Sequence, residues 1–108
     1  MAWHEDERSS TYTISLGNVE GKFVDARNIP SVAAVGSTVE IEVDVRNDGN
    51  MPGVLACKLF DVSTTPETEL SYVYTASNVD PGVTVTLAPS FTMPNKDITL
   101  QIATGHEE

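Results

Sequence analysis

The clearest pattern in the chain is an uninterrupted alternation of apolar and charged residues over positions 38–46. The apolar positions are Val39, Ile41, Val43 and Val45, and the charged positions between them are Glu40, Glu42, Asp44 and Arg46. Because successive side chains of a strand point to opposite faces, this period of two predicts an antiparallel strand with one buried and one solvated face. The next residues, Asn-Asp-Gly-Asn at 47–50, tolerate the positive φ values of tight turns, so the chain is expected to reverse there.

Weaker alternations of the same kind predict six more strands, at residues 11–16, 22–26, 53–60, 70–74, 83–87 and 97–102. The side chains expected to share buried faces include Leu55, Cys57 and Leu59 in one of these strands and Leu70, Tyr72 and Tyr74 in the next. No window shows the spacing of three and four residues that an amphipathic helix requires. Seven short strands separated by turn residues such as Pro81 and Gly82 predict an all-β fold, an immunoglobulin-like antiparallel β-sandwich.

The order of turns and strands also resembles a known group of domains. Val35-Gly36-Ser37 leads into the best strand, Asn47-Asp48-Gly49 ends it, and Asp80-Pro81-Gly82 opens a later one. Over residues 23–102 this order is similar to that of the cell-adhesion-related (CARDB-type) immunoglobulin-like domains of bacterial and archaeal surface proteins. The resemblance implies a sandwich that works in adhesion or assembly, and it carries no catalytic signature.

The carboxyl end departs from that group, because residues 103–108 stop where a further closing strand is expected. The strand predicted at residues 11–16 could fill this edge from the front of the chain. If it does not, an open edge remains, and an open edge is a template for pairing with another chain.

Length and charge narrow the classes of partner. The 108 residues suffice for one domain, predicted to consist of a charged tail at 1–10 and a sandwich at 11–108. Sixteen acidic against six basic residues give a net charge of −10, which repels phosphates, so no nucleic-acid partner is expected.

No apolar run approaches the roughly 20 residues that cross a bilayer, so no membrane insertion is expected. The charged amino terminus lacks the apolar stretch of a signal peptide, so the chain either stays where it is made or is one domain of a larger exported or assembled protein.

The residues that could carry chemistry are few. Cys57 is the single cysteine, which excludes an intrachain disulfide, and its apolar surroundings predict a buried, inert thiol. The only histidines, His4 and His106, lie near the two chain ends, where mobility opposes the exact geometry that catalysis needs. No nucleophile, metalloprotease or phosphate-loop motif occurs. The sequence therefore predicts no enzyme and no catalytic residue.

Two groups of residues have the chemistry of metal ligands. Asp44, Asn47, Asp48 and Asn50 offer oxygen atoms around one loop, as a calcium site would, although a plain Asn-Asp-Gly turn explains them better. The histidine–acid clusters at residues 4–7 and 106–108 could bind zinc or a harder cation if the termini met, but two solvated tails explain them better. Calcium at Asp44, Asn47, Asp48 and Asn50 is therefore the one cofactor that the sequence suggests.

The candidate interaction residues are Trp3 and the acidic face that carries Glu40 and Glu42. Tryptophan is enriched at interfaces, and Trp3 stands in a charged tail with no alternating partner. Adjacent carboxylates repel one another, so the acidic face is expected to meet water or cations. The remaining aromatic residues considered as stacking platforms are expected to be mostly core, namely Tyr12, Phe23, Tyr72, Tyr74 and Phe91.

Together these observations predict a non-catalytic structural or adhesion-type module. It would contact a protein partner, or copies of itself, in a surface, extracellular or virion assembly. The alternative is a carbohydrate-binding or other ligand-binding accessory module of a larger protein, which requires aromatic side chains aligned on an exposed face. An enzyme is the third and last class, and the fold by itself does not decide among the three.

Overall fold

Eight β-strands and no helix form the regular structure of residues 2–11 and 13–107, the part of the chain that the computed structural model describes. The strands are β1 (Gly21–Arg27), β2 (Thr38–Glu40), β3 (Glu42–Asn47), β4 (Leu55–Asp61), β5 (Thr68–Tyr74), β6 (Thr84–Leu87), β7 (Ser90–Thr92) and β8 (Leu100–His106). Every strand pair is antiparallel. The prediction of an all-β chain is confirmed.

The strands form three sheets, in the orders β1–β3–β6, β2–β7 and β5–β4–β8. The first two sheets share one register, because the pairing Thr38↔Thr92 in β2–β7 is in step with Val43↔Leu87 in β3–β6. The ladder breaks only where Ile41 faces Pro89, which has no backbone N–H to donate. The Ile41 N–H still donates to the Pro89 carbonyl at 3.0 Å. The strand predicted at residues 38–46 is thus a single extended segment that Pro89 divides into β2 and β3.

The apolar faces of all three sheets meet in one core. Val43 and Val45 of β3 and Leu55 and Leu59 of β4 are fully buried, and Cys57 lies between the two leucines. Val39, Leu87 and Phe91 extend this core along β2, β6 and β7. The predicted inward positions in β3 and β4 are confirmed, and so is the prediction that Phe91 is core.

The prediction that Leu70, Tyr72 and Tyr74 share a buried face is wrong. The β4–β5 register shifts between Leu59, which pairs with Ser71, and Phe60, which pairs with Glu69, so Leu70 is one extra residue in β5. A bulge of this kind reverses the faces of the residues beyond it. Leu70 packs against the core, whereas Tyr72 and Tyr74 point outward and are 42% and 60% exposed.

The strand predicted at residues 11–16 is also wrong for the single chain. Thr11 and residues 13–16 have no ladder partner, while Tyr12 lies outside the described residues. The segment before Leu16 extends away from the strands, and the chain measures 78 × 28 × 19 Å with a radius of gyration of 21.1 Å. A compact chain of this length has a radius of gyration of about 13 Å. The first strand of the fold is β1, which matches the prediction at residues 22–26.

Strand β8 continues to His106, beyond the predicted end at residue 102. It pairs with β4 along its whole length. Near its carboxyl end it also contacts the start of β1, where the Thr104 hydroxyl donates to the Gly21 carbonyl at 3.0 Å. No strand among residues 2–11 and 13–107 pairs with the second edge of β8.

Candidate functional site

The outward face of β3 carries two of the predicted acids, and an arginine of the same chain lies between them. The Arg27 guanidinium donates to both Asp44 oxygens, at 2.6 and 3.0 Å, and to Glu42 Oε2, at 3.1 and 3.3 Å. The Thr86 hydroxyl donates to Asp44 Oδ1 at 2.7 Å. The cation that this face attracts is therefore supplied by Arg27, a residue that sequence reasoning missed.

These contacts favour the charged forms of Asp44 and Arg27. Hydrogen bonds from Arg27 and then from Thr86 lower the pKa of Asp44 from its ordinary value to about 2. The same bonds raise the pKa of Arg27 above its already high value. Because Asp25 stands opposite Asp44 across the β1–β3 pair, Arg27 also offsets a like-charge contact. Glu40 lies apart from this cluster, on β2 opposite Ser90.

Asn47 at the end of β3 is fully buried, and its side chain makes four hydrogen bonds to backbone groups. Its side-chain amide donates to the carbonyls of Met51, at 3.0 Å, and Val79, at 2.8 Å. Its carbonyl oxygen accepts the N–H groups of Gly49, at 2.9 Å, and Glu20, at 3.4 Å. One side chain thus satisfies backbone groups of three separate segments where the chain leaves β3.

The other members of the predicted calcium group also bond to the protein itself. Arg46 donates to both oxygens of Asp48, at 2.5 and 3.3 Å, and this contact lowers the Asp48 pKa. Asn50 accepts the Asn18 N–H at 2.7 Å and donates to the Leu16 carbonyl. The four predicted ligands therefore hold separate structural contacts, and no cluster of three or more metal-ligating acids, histidines or cysteines occurs in the described part of the chain. Calcium binding at this loop stays a prediction.

Asp61 at the end of β4 is a second buried polar residue, and sequence reasoning did not single it out. Only 1% of it is exposed. Its Oδ1 accepts the Ser63 hydroxyl at 2.6 Å and the N–H groups of Ser63 and Thr99 at 3.0 and 3.1 Å, and Lys96 lies 3.0 Å from Oδ2. These donors, the Ser63 hydroxyl first, hold the pKa of Asp61 well below its usual range. An aspartate two residues before a serine is a turn signal that could have identified it.

Of the residues considered for reactive chemistry, Cys57 and His106 lie on the paired strands β4 and β8 and line the same shallow depression, whereas His4 lies in the tail. Cys57 is buried, as predicted, and burial raises the pKa of its thiol to about 11, which favours the protonated form over the reactive thiolate. His4 lies in the tail, with its Nε2 3.3 Å from Asp6 Oδ1. His106 lies in β8 opposite Leu55, so this end of the chain is a strand and not the solvated tail expected. Trp3 is 87% exposed in the tail.

An apolar cleft of about 420 Å³ opens at one end of the fold, between the loop after β1 and the residues from Asp97 to Leu100 that lead into β8. Its lining is mostly apolar and includes Ile29, Val32, Val39, Phe91, Met93 and Leu100. Two of these side chains face solvent, with Val32 85% and Ile29 52% exposed. The cleft therefore leaves part of the core layer open beside the β8 edge.

A second surface feature lies on the outer face of the β5–β4–β8 sheet. The rings of Tyr72 and Tyr74 are 5.8 Å apart and tilted by 60°, and the Lys58 ammonium lies 4.7 Å from the centre of the Tyr72 ring. A shallow depression of about 140 Å³ adjoins Tyr72 and the small residues Ala103 and Gly105. Exposed aromatic rings next to a shallow floor are the arrangement that a stacking ligand needs.

The Asn47 network predicts a large stability effect from one side chain. Asn47→Ala removes a partner from two carbonyls and two N–H groups, although the Val79 carbonyl keeps the Gly53 N–H at 3.2 Å, so the free energy of unfolding should fall by about 2–4 kcal/mol. The matched control is Asn78→Ala at an exposed position, for which a change within about 0.5 kcal/mol is expected. Urea unfolding followed by circular dichroism measures both values. Equal stability of the two variants would contradict the structural role of Asn47.

The lowered pKa of Asp61 predicts how stability depends on pH. Because the carboxylate is stabilised in the folded chain, its contribution is present above about pH 4 and is lost as the pH falls through the lower folded-state pKa. Asp61→Asn should therefore lower the thermal midpoint at pH 7 and flatten its decline on acidification. The control Asp80→Asn, at an exposed turn position, should follow the wild-type curve. Parallel curves for Asp61→Asn and wild type would show that the carboxylate gains nothing from folding.

No helix among the described residues is long and apolar enough to cross a membrane. A comparison of the chain with protein-family models, with curated proteins and with solved structures finds no match in any of the three.

Proposed function

We propose that the fold is an immunoglobulin-like β-sandwich. The common register of β2–β7 and β3–β6 supports a first layer in which β1 flanks one continuous ladder. The β5–β4–β8 sheet supplies the second layer, and the buried residues of β3 and β4 form the core between the layers. This arrangement agrees with the resemblance to cell-adhesion-related domains of surface proteins.

The function that this geometry supports best is that of a non-catalytic structural or adhesion-type module, which makes protein–protein contacts in a surface, extracellular or virion assembly. The observation that carries the proposal is the edge of β8 at Leu100, which lies beside the apolar cleft and pairs with no strand among residues 2–11 and 13–107. A sheet edge offers a row of main-chain donors and acceptors, and an apolar groove next to it offers pockets for alternate side chains.

The polar residues support the same function indirectly. Asp44, Asn47 and Asp61 each direct their side-chain oxygens at donors of the same chain. Groups held in this way stabilise loops and strand pairs, whereas a catalytic group must direct a reactive atom at a substrate. A role in contact surfaces therefore fits these residues better than a role in turnover.

The first test compares assembly with turnover. In gradient sedimentation of material from the producing organism, the chain is expected in a particle much larger than its own 11.6 kDa. The purified chain is expected to turn over none of a broad panel of ester, glycoside, phosphate and peptide substrates. Saturable turnover that a single substitution abolishes, with no large particle, would refute the proposed function.

A second candidate is carbohydrate binding on the outer face of β5, favoured by the exposed Tyr72–Tyr74 pair and the adjacent Lys58. Sugar rings stack on aromatic faces through their C–H groups, and side chains nearby supply hydrogen bonds. The alternation of the sequence predicts that these tyrosines are core residues, which argues against carbohydrate binding. The bulge at Leu70 turns them outward, so this argument no longer holds.

Glycan-array binding followed by calorimetry tests this candidate. Tyr72→Ala and Tyr74→Ala should each weaken binding of a retained glycan by about tenfold, the loss of one aromatic contact. The matched control is Phe23→Ala, an aromatic residue of similar exposure on β1. Failure of every glycan to bind, or equal binding by all three variants, would exclude this candidate.

A further inference from the structure

The segment before β1 carries two apolar side chains, Ile14 and Leu16, that no residue of the described ranges 2–11 and 13–107 covers. Ile14 and Leu16 are 94% and 91% exposed, and Thr13 and Ser15 alternate with them. No charged residue occurs in residues 9–19, although the chain as a whole has a net charge of −10. An uncharged segment with apolar side chains at a spacing of two is suited to pairing at a sheet edge with one face buried.

The base of this segment is fixed to the fold. The Asn50 amide donates to the Leu16 carbonyl at 3.1 Å, and the Asn18 N–H donates to the Asn50 side chain at 2.7 Å. These bonds set the point at which the segment leaves the strands, so it projects as an arm from a defined place.

The arm and the apolar cleft lie at opposite ends of the fold. Strand β1 starts at Gly21 opposite Asn47, and the arm leaves from this end. The same strand finishes at Arg27 opposite Glu42, and the cleft follows beyond it, around Ile29 and Val39. Because the arm extends away from its own cleft, the cleft that it can enter in this conformation belongs to another copy.

We propose that residues 13–16 of one copy add a strand beside the Leu100 end of β8 of a second copy and place Ile14 and Leu16 in its apolar cleft. This inference rests on the proposed function and names the partner and the contact. Donor and acceptor are different surfaces, so the contact is heterologous and each copy can engage two neighbours. Strand addition would pair the edge of β8 near Leu100 and cover the open side of the cleft.

The alternation of the arm provides its own matched control. Ile14→Asp with Leu16→Asp places two carboxylates in an apolar cleft and should raise the concentration for half-assembly by at least about 100-fold. Thr13→Asp with Ser15→Asp adds the same charge on the opposite face and should raise it by less than about tenfold. Light scattering coupled to size exclusion, at low and high salt, measures both.

The acceptor has a corresponding pair of variants. Ile29 and Val32 line the cleft and are more than half exposed, so their replacement by aspartate should leave the thermal midpoint unchanged while blocking assembly. Val35→Asp, at a position that is 64% exposed in the same loop and outside the cleft lining, should assemble like the wild type.

Mixing the two defective chains gives the sharpest outcome. The chain with Ile14→Asp and Leu16→Asp keeps its cleft, and the chain with Ile29→Asp and Val32→Asp keeps its arm. Each alone should be monomeric, and the mixture should form dimers and stop there, because only one of the two contacts is intact. No dimer in the mixture, or equal loss of assembly in the Thr13/Ser15 control, overturns the inference.

A different occupant of the cleft gives a different result. If the arm folds back onto its own β8, the wild type stays monomeric at every concentration while the amides of residues 13–16 are protected from hydrogen exchange, and the inference is wrong. A wild type that stays monomeric in purified form but sediments in a large particle from its source also overturns it, while the proposed function stands with another partner.

Discussion

The fold depends on hydrogen-bond partners for the buried backbone N–H and carbonyl groups at the end of β3. Between β3 and β4 the chain passes from one sheet to another, and buried backbone groups must find partners there. Asn47 meets this requirement with a single amide, which has two donors and an acceptor and so can serve carbonyls and N–H groups together. Asp61 does the equivalent at the end of β4, but with acceptors alone, and it therefore serves N–H and hydroxyl groups and one lysine. Each central strand of the two larger sheets thus ends in a buried polar side chain.

Much of the fold could be predicted because period-two burial is a local property of the sequence. The alternation at residues 38–46 identified the correct inward face, and Leu55, Cys57 and Leu59 were assigned correctly from a mostly apolar run in which only Lys58 breaks the pattern. The absence of helix followed from the same reasoning, since no segment has the spacing that a helix would bury. These assignments need only the positions of a residue's neighbours in the chain.

Apart from Asp61, which a local turn signal marks, the features that sequence reasoning missed depend on which strands become neighbours. Arg27 is an ordinary exposed arginine until the β1–β3 register places it between Glu42 and Asp44. The outward turn of Tyr72 follows from one extra residue opposite β4, and a bulge leaves no mark on the alternation of its own strand. The strand predicted at residues 11–16 failed for a related reason, because alternation states that a segment can be half buried but does not name the surface that buries it. The calcium residues were similarly read as one loop, whereas the register distributes them among separate contacts.

The energy available to the exposed arm decides what kind of assembly it can support. Burying two apolar side chains of the size of Ile14 and Leu16 gives about 3–6 kcal/mol, while association costs at least about 4 kcal/mol in lost freedom of motion. The side chains alone therefore leave the free energy of association close to zero. Main-chain hydrogen bonds to β8, at about 1 kcal/mol each, decide whether association is favourable. A net charge of −10 on each copy opposes contact at low ionic strength, and screening removes much of that repulsion between exposed charges. A contact with this balance forms and dissolves with concentration and salt, so a long-lived assembly requires that each copy is held at both ends, by its own arm and by the arm of its neighbour.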